Sequence, residues 1–226
     1  MKLSIIIPCY NEELTIKEVI SLVEKVVLPV EKEIIIVDDG STDRSRDILT
    51  KIKGHKIFFH EKNQGKGAAV RTGIMHANGE IIVIQDADLE YDPSDFQIML
   101  QPILEGRTDV VFGSRFKNPA HHPRHWFYYL GNIGLTLFTN LLFFSKVSDM
   151  ETCYKMFRKN VLEHVPLRAR GFDLEPELTA KILKYGHKIV EVPIKYNSRS
   201  VDEGKKITWR DGVKAAWYLL KYRFTN

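Results

Sequence analysis

The stretch "IIVIQDADLEYDP", residues 81–93, sets residues suited to a buried strand directly before a run of acids, Asp86, Asp88, Glu90 and Asp92. A turn needs at most one such carboxylate, and unpaired acids this close repel one another. The stretch therefore predicts a core strand whose carboxyl end carries chemistry. The same pattern recurs along the chain. "LSIIIP" runs into Cys9, Tyr10, Asn11 and Glu12, "EIIIVDD" ends in Asp38 and Asp39 before Gly40, and "TDVVFGSRF" ends in Gly113-Ser114-Arg115. Between these apolar runs lie segments of helical periodicity, an alternation that predicts an α/β fold with a mostly parallel sheet flanked by helices. In such sheets ligands bind beyond the carboxyl ends of the strands, so these four ends should converge on one edge.

The first helix is expected over 12–27, with Ile16, Val19, Ile20 and Val23 on one face and Asn11 as its cap. The second spans "STDRSRDILTKIKG", starting at Ser41 or Thr42 and closed by Gly54. "KIFFHE" reads as a short strand and "GKGAAVRTGIMHANG" as a helix. "DPSDFQIMLQPILEG" opens on an Asp92 cap with Pro93 at the first helical position, and Pro102 should kink it. Beyond residue 115 the alternation breaks. A loop bearing His and Arg precedes an uncharged helix; "ETCYKMFRK", a helix over about 173–185, the strand "KIVEVPIKY" and a last amphipathic helix follow. That helix gathers Trp209, Val213, Ala216, Trp217 and Leu220 on one face, which is expected to pack on the body.

At 226 residues, 44% hydrophobic and 27% charged, the chain has the make-up of one soluble domain. It is read as a single unit, 1–226, in two halves, 1–115 and 116–226, divided where the alternation breaks. A net charge of +4 fits anionic partners without selecting one. Cys9 and Cys153 form no metal-type pair, which favours a reducing cytosol, and "MKLSIIIPCYNEEL" lacks the layout of a signal peptide. The one membrane-length run, "WFYYLGNIGLTLFTNLLFF" at 126–144, has no charge but carries Asn132, Thr136, Thr139 and Asn140 on one side. That stripe suits a helix lying in a membrane surface better than one spanning it, with Trp126 and Tyr128 at the headgroup level; a buried helix is the alternative.

Asp86 and Asp88, one residue apart, suit a hard divalent cation that leaves positions open for diphosphate oxygens, with Glu90 a further ligand or a supporting group. Asp38 and Asp39 suit the N–H and O–H donors of a base or ribose. Lys66 in "NQGKGAAVRTG" lacks the spacing of a phosphate loop and reads either as a helper near the nucleotide or as part of a helix start. Arg115, Arg124, Arg199, Lys205 and Lys206 are anion-binding candidates. His121, His122 and His125 lack the carboxylates a metal cluster needs around them.

Together, "SIIIPCYNEE", "IIIVDDGSTDRS", "NQGKGAAVRTGI", "IQDADLEYDP", "GSRF" and "ETCYKMFRK" resemble, in order, the family 2 glycosyltransferases of the GT-A fold. The branch they resemble is that of dolichyl-phosphate mannosyltransferase and bacterial polyprenyl-phosphate glycosyltransferases. "GFDLEPELTAKIL" and "YNSRSVDEGKKI" resemble its later segments, the second loosely. The resemblance implies inverting, metal-dependent transfer of a hexose from a nucleoside diphosphate sugar, of GDP-mannose or UDP-glucose type, to a polyprenyl phosphate at the cytoplasmic membrane face. Pro8, Tyr10, Glu12, Asp39 and Lys66 would surround the nucleotide, with Asp38 and Ala87 beside them. Asp86 and Asp88 would hold Mg²⁺ or Mn²⁺, with Glu90 standing where this branch often has Gln. Arg115, Arg124, Arg199 and Lys206 would gather the acceptor phosphate and the donor diphosphate, making 1–115 the nucleotide-sugar-binding half and 116–226 the acceptor-binding half.

A phosphate acceptor needs no strong base; a glycan hydroxyl would, and Asp149 or Glu151 would then serve. Two rivals remain. A nucleotidylyltransferase would need a Gly-rich basic loop after the first strand, where this chain has acids. A nucleotide-sugar-binding subunit would depend on a membrane-protein partner, and association with a second copy is also open. Nothing points to nucleic acid.

Overall fold

The computed structural model describes residues 1–120, 126–199 and 209–225. Its centre is a seven-stranded sheet of β1 (Lys2–Cys9), β2 (Glu31–Asp38), β3 (Lys56–Phe59), β4 (Ile81–Ile84), β5 (Val110–Ser114), β6 (Lys155–Arg158) and β7 (Ile189–Pro193), in the order β3-β2-β1-β4-β6-β5-β7. β6, inside "ETCYKMFRK", is antiparallel to both of its neighbours, β4 and β5. Two reversals cancel, so β5 runs the same way as β4, and the remaining pairings are parallel. The carboxyl ends of β1, β2, β4 and β5 thus share one edge, as the alternation predicts. Periodicity could not find β6: a four-residue strand containing a fully buried lysine carries no apolar pattern. Lys155 is accepted there because its Nζ donates to the carbonyls of Met150 and Thr152 and lies 5.0 Å from the Phe112 ring centroid.

Helices α1 (Ile16–Lys25), α2 (Ser45–Leu49) and α4 (Phe96–Leu104) cover one sheet face, where Ile5 and Ile7 meet Val19, Leu49, Phe96 and Leu100. Helix α3 (Lys66–Met75), the single turn α6 (Val161–His164) and α7 (Leu174–Lys184) cover the other, where Ile6 meets Val70, Val161, Leu178 and Ile182. Helices α5 (Trp126–Phe143) and α8 (Trp209–Phe224) form a third layer on α7, around Leu219, Tyr222 and Ala180.

Several local expectations change. Asn11 does not cap α1: at φ 53° its side-chain carbonyl accepts the Thr42 amide at 2.8 Å while its own amide donates to Ser41 Oγ at 3.0 Å, tying the end of β1 to the loop after β2. That loop holds Ser41 and Thr42, so α2 starts only at Ser45. Asp92 does accept the Ser94 amide, at the head of a 3-10 turn, and Pro102 falls in the last turn of α4.

The two outer helices differ most from expectation. The polar stripe of α5 faces the protein: Asn132 reaches Asp149, Thr136 accepts the Met150 amide, and Asn140 clamps Val147 through both ends of its amide. The outward face is apolar, with Trp126, Leu130, Ile133, Leu137 (69% exposed) and Leu141 (71% exposed) at helical spacing. In α8 the packed residues are Ala215, Leu219 and Tyr222, whereas Val213, Trp217 (62% exposed) and Leu220, expected on the body, face outward. Among the described residues no helix is long and apolar enough to cross a membrane.

The loop after β2 is fixed by Gly40 at φ 70°, where a Cβ would lie 2.5 Å from the Lys62 carbonyl carbon. Gly40→Ala is expected to cost about 1–3 kcal/mol of unfolding free energy, read from urea denaturation followed by circular dichroism.

Candidate active site

At the carboxyl edge the buried acids are each held by a specific donor. Asp38 is fully buried; its Oδ2 accepts Arg46 Nε at 3.1 Å, and its Oδ1 has no partner. Asp39, expected to share the nucleotide with it, is committed to the chain. It accepts the amides of Gln64 (3.0 Å) and Gly65 (2.7 Å) and pairs with His60 Nδ1 at 2.7 Å, so it shapes the loop that leads into α3. His60 in turn bonds Thr72.

That loop explains "GKG". At Gly65, φ 96°, a Cβ would lie 2.2 Å from the Arg170 carbonyl oxygen, which accepts the Ala68 amide at 3.1 Å. The glycine lets loop 166–171 cap the start of α3, the helix-start reading of this motif. Lys66 is projected onto the end of β4. Its Nζ lies 2.7 Å from Asp86, 3.0 Å from Glu175 and 3.2 Å from Cys153 Sγ. Burial would lower the ammonium pKa, but the charges of Asp86 and Glu175 outweigh it and hold Lys66 protonated. Burial, then the nearby Asp86, pushes the Cys153 thiol well up, so it is no thiolate.

Asp88 has no such cation. Burial first, then the charges of Asp86 and Glu90, push its carboxyl up to about 7. Acids short of counter-charge fit a cation bound by Asp86 and Asp88. Glu90, a candidate third ligand, accepts the Tyr196 hydroxyl at 2.9 Å and the Arg199 amide at 2.7 Å. Among the described residues no three His, Cys, Asp or Glu side chains are gathered for a metal. Glu90 instead fastens the segment after β7 over the acids, and Arg199 completes the strap by donating from both terminal nitrogens to Glu12 at 3.0 Å. Pro8 and Tyr10 flank that edge, half-buried, and the Ala87 carbonyl accepts Thr15 Oγ1 at 2.7 Å.

At the end of β5, Arg115 forks onto Asp149 with Nε and Nη2 each at 2.7 Å and lies 4.9 Å from the Tyr196 ring centroid. Asp149 also accepts the Arg115 amide and Asn132 Nδ2, which fills the roughly four acceptor directions of a carboxylate. Burial would raise its pKa, yet Arg115 holds it below the usual range. Asp149, a candidate base from the sequence, is therefore a brace that orients Arg115. Glu151, like Asp38, has capacity to spare: its Oε1 is buried and unpartnered, and burial pushes its carboxyl up to about 7. Arg124, Lys205, Lys206, His121, His122 and His125 lie outside the described residues.

The edge thus brings together Glu12, Asp38, Lys66, Asp86, Asp88, Arg115 and Arg199. Sequence reasoning missed Glu175, Cys153, His60 and Tyr196. Glu175 left one signal, an acid in the first turn of α7 where the helix is buried; the others left none.

A mostly parallel sheet with one inserted antiparallel strand and paired acids after β4 defines a transferase fold of the GT-A type. Residues 4–165 match the model of glycosyl transferase family 2. Dolichol-phosphate mannosyltransferase of Pyrococcus furiosus is 31% identical over 91% of this chain and 59% of its own length, so the chain spans little more than half of that relative. UDP-N-acetylglucosamine–dolichyl-phosphate N-acetylglucosaminyltransferase of Methanococcus voltae is 32% identical over 96% of this chain and 94% of its own. Among solved structures, glucosyl-3-phosphoglycerate synthase from Mycobacterium tuberculosis, in complex with Mn²⁺, UDP and phosphoglyceric acid, superposes with a TM-score of 0.75 over all of this chain and 79% of that one, at 20% identity. The chain belongs to glycosyl transferase family 2 and is a glycosyltransferase.

Glu151 gives a pH signature. Unfolded, it ionises near the ordinary 4.5; folded, it keeps its proton to about 7. Between those values the native state binds more protons, so its contribution to stability falls as pH rises. Glu151→Gln removes this loss. Its stability relative to wild type should climb from pH 4.5 to 7 by at most about 3 kcal/mol and then level off, read from chemical denaturation across pH.

Proposed function

We propose that this glycosyltransferase moves a hexose from a nucleoside diphosphate sugar to a polyprenyl phosphate at a membrane surface. The observation that carries the reading is the inverted α5: its apolar face points outward while its polar face is bonded, through Asn132, to the Asp149 that orients Arg115. A lipid phosphate rising from the surface beneath α5 and α8 would meet that guanidinium. The described fork uses Nε and Nη2, and the remaining N–H groups of Arg115 can receive phosphate oxygens.

Asp38 would offer its unpartnered Oδ1 to a ribose or base donor, and Lys66 and Arg199 would exchange their carboxylate partners for diphosphate oxygens. Mg²⁺ or Mn²⁺ held by Asp86 and Asp88 would supply charge for the departing nucleoside diphosphate. A phosphate acceptor is already anionic, so a spent Asp149 is no obstacle, and alignment by Arg115 and Lys66 carries the transfer. The relatives that act on dolichyl phosphate support this acceptor class. One observation favours a second reading, transfer to a glycan hydroxyl: Glu151 has an unpartnered oxygen and a carboxyl pushed up to about 7, which suits a base.

The test is incubation of the purified chain with Mn²⁺ or Mg²⁺, a panel of labelled GDP- and UDP-sugars and a polyprenyl phosphate, followed by organic extraction. Label in the organic phase is expected, with Asp88→Asn lowering it about 10²-fold or more at an unchanged circular dichroism spectrum. Label only on soluble glycans would replace this reading with the hydroxyl one.

A further inference from the structure

Away from the acid edge, a cavity of about 420 Å³ opens between the loop before α7 and the flank of α8, lined by Arg168, Arg170, Asp173, Tyr218, Lys221 and Tyr222. Among the described residues the lining carries Arg168, Arg170 and Lys221 against the carboxylate of Asp173, which already accepts the Gly171 amide at 2.7 Å. Lys221 Nζ stands 5.7 and 5.5 Å from the Tyr218 and Tyr222 ring centroids, which holds its charge at the cavity wall.

The position of the cavity on α8 identifies the occupant. Arg223 points to the α5 side, 5.7 Å from the Phe143 ring centroid, whereas Tyr218 and Lys221 point to the opposite flank. Val213, Trp217, Leu220 and Phe224 lie outward between those flanks. At 100° per residue, Lys221 is the immediate neighbour of that apolar stripe. A molecule in the cavity therefore meets the exposed cations Arg168, Arg170 and Lys221 and, just beyond Lys221, the apolar stripe of α8, the profile of a lipid headgroup with its chains turned along that stripe.

We propose that this cavity binds the phosphate of an anionic phospholipid, apart from the acceptor phosphate, and so fixes the orientation of the enzyme on the membrane. The proposal rests on the membrane-surface reading given above. Arg168 and Arg170 supply charge-assisted donors to the phosphate oxygens, Lys221 adds a third charge, and the outward stripe of α8 enters the acyl boundary. The site also sits on the chemistry's support. The carbonyl of Arg170 caps α3 at the Ala68 amide, two residues from Lys66, so headgroup binding would steady the helix start that carries the donor-side lysine.

The full chain is floated with phosphatidylcholine vesicles, with and without phosphatidylglycerol, alongside two doubles of equal charge loss. One is Arg168→Gln/Arg170→Gln; the other is Lys146→Gln/Lys214→Gln, whose lysines also flank α5 and α8. The wild type should prefer the phosphatidylglycerol vesicles. The arginine double should lose about tenfold more of that affinity than the lysine double, as for lost charge-assisted bonds rather than diffuse charge, with both melting like wild type. Equal losses in the two doubles would overturn the site, as would wild-type binding that ignores phosphatidylglycerol while neutral vesicles are still bound. Failure to float with any vesicle would refute the membrane reading itself. If soluble glycerol phosphate then still shifted amide resonances around Arg170, the cavity would hold a soluble phosphate and the lipid assignment would be wrong.

Discussion

The site turns on how the fold keeps several carboxylates together at one edge, and the ammonium of Lys66 is the main device. Its ammonium sits between Asp86 on the β4 end and Glu175 on α7, so a single charge joins two elements that cover opposite sides of the site. A buried ion pair of this kind adds little net stability, but removing one partner strands the other and typically costs about 3–5 kcal/mol. The arrangement is therefore better suited to exchange than to permanence. Asp88, left without a cation, holds its proton toward neutrality. A ligand that brings both positive charge and phosphate oxygens would relieve Asp88 and give Lys66 a new partner.

The same economy operates at the end of β5. Asp149 spends its acceptor capacity on Arg115 and on Asn132 from α5, so the outer helix is wired to the site's arginine. The inverted polarity of α5 follows from that wiring. Its polar residues are needed inward to satisfy Asp149, Met150 and Val147, which leaves its leucines nowhere to point but outward. α8 repeats the pattern with Trp217 and Leu220, and an outward apolar face shared by two packed helices is the surface a lipid-bearing acceptor would approach.

Much of this was legible in the residues. The alternation of strands and helices fixed the sheet, and the shared edge followed because parallel strands must end together. The paired acids after β4, Lys66, Arg115 and Arg199 all fall on that edge. What stayed hidden depends on non-local partners. β6 hides behind a buried lysine whose N–H groups are satisfied by the Met150 and Thr152 carbonyls, a partnership no pattern records. The direction of the α5 polar stripe is set by Asp149, which no helical periodicity records. The protein partners of Asp39 and Glu90, the Gly65 amide in one case and the Tyr196 hydroxyl in the other, come from distant segments and leave no mark in the local sequence.

We propose that Asp86 and Asp88 form half a cation site that a diphosphate completes. That claim is tested most directly by titrating Mn²⁺ into the protein, followed by electron paramagnetic resonance, with and without GDP or UDP. Weak Mn²⁺ binding alone that tightens about tenfold or more with one of the diphosphates, and equal tightening of that diphosphate by Mn²⁺, is the expected result. Tight Mn²⁺ binding without diphosphate, or binding indifferent to it and unchanged in Asp88→Asn, would contradict the account.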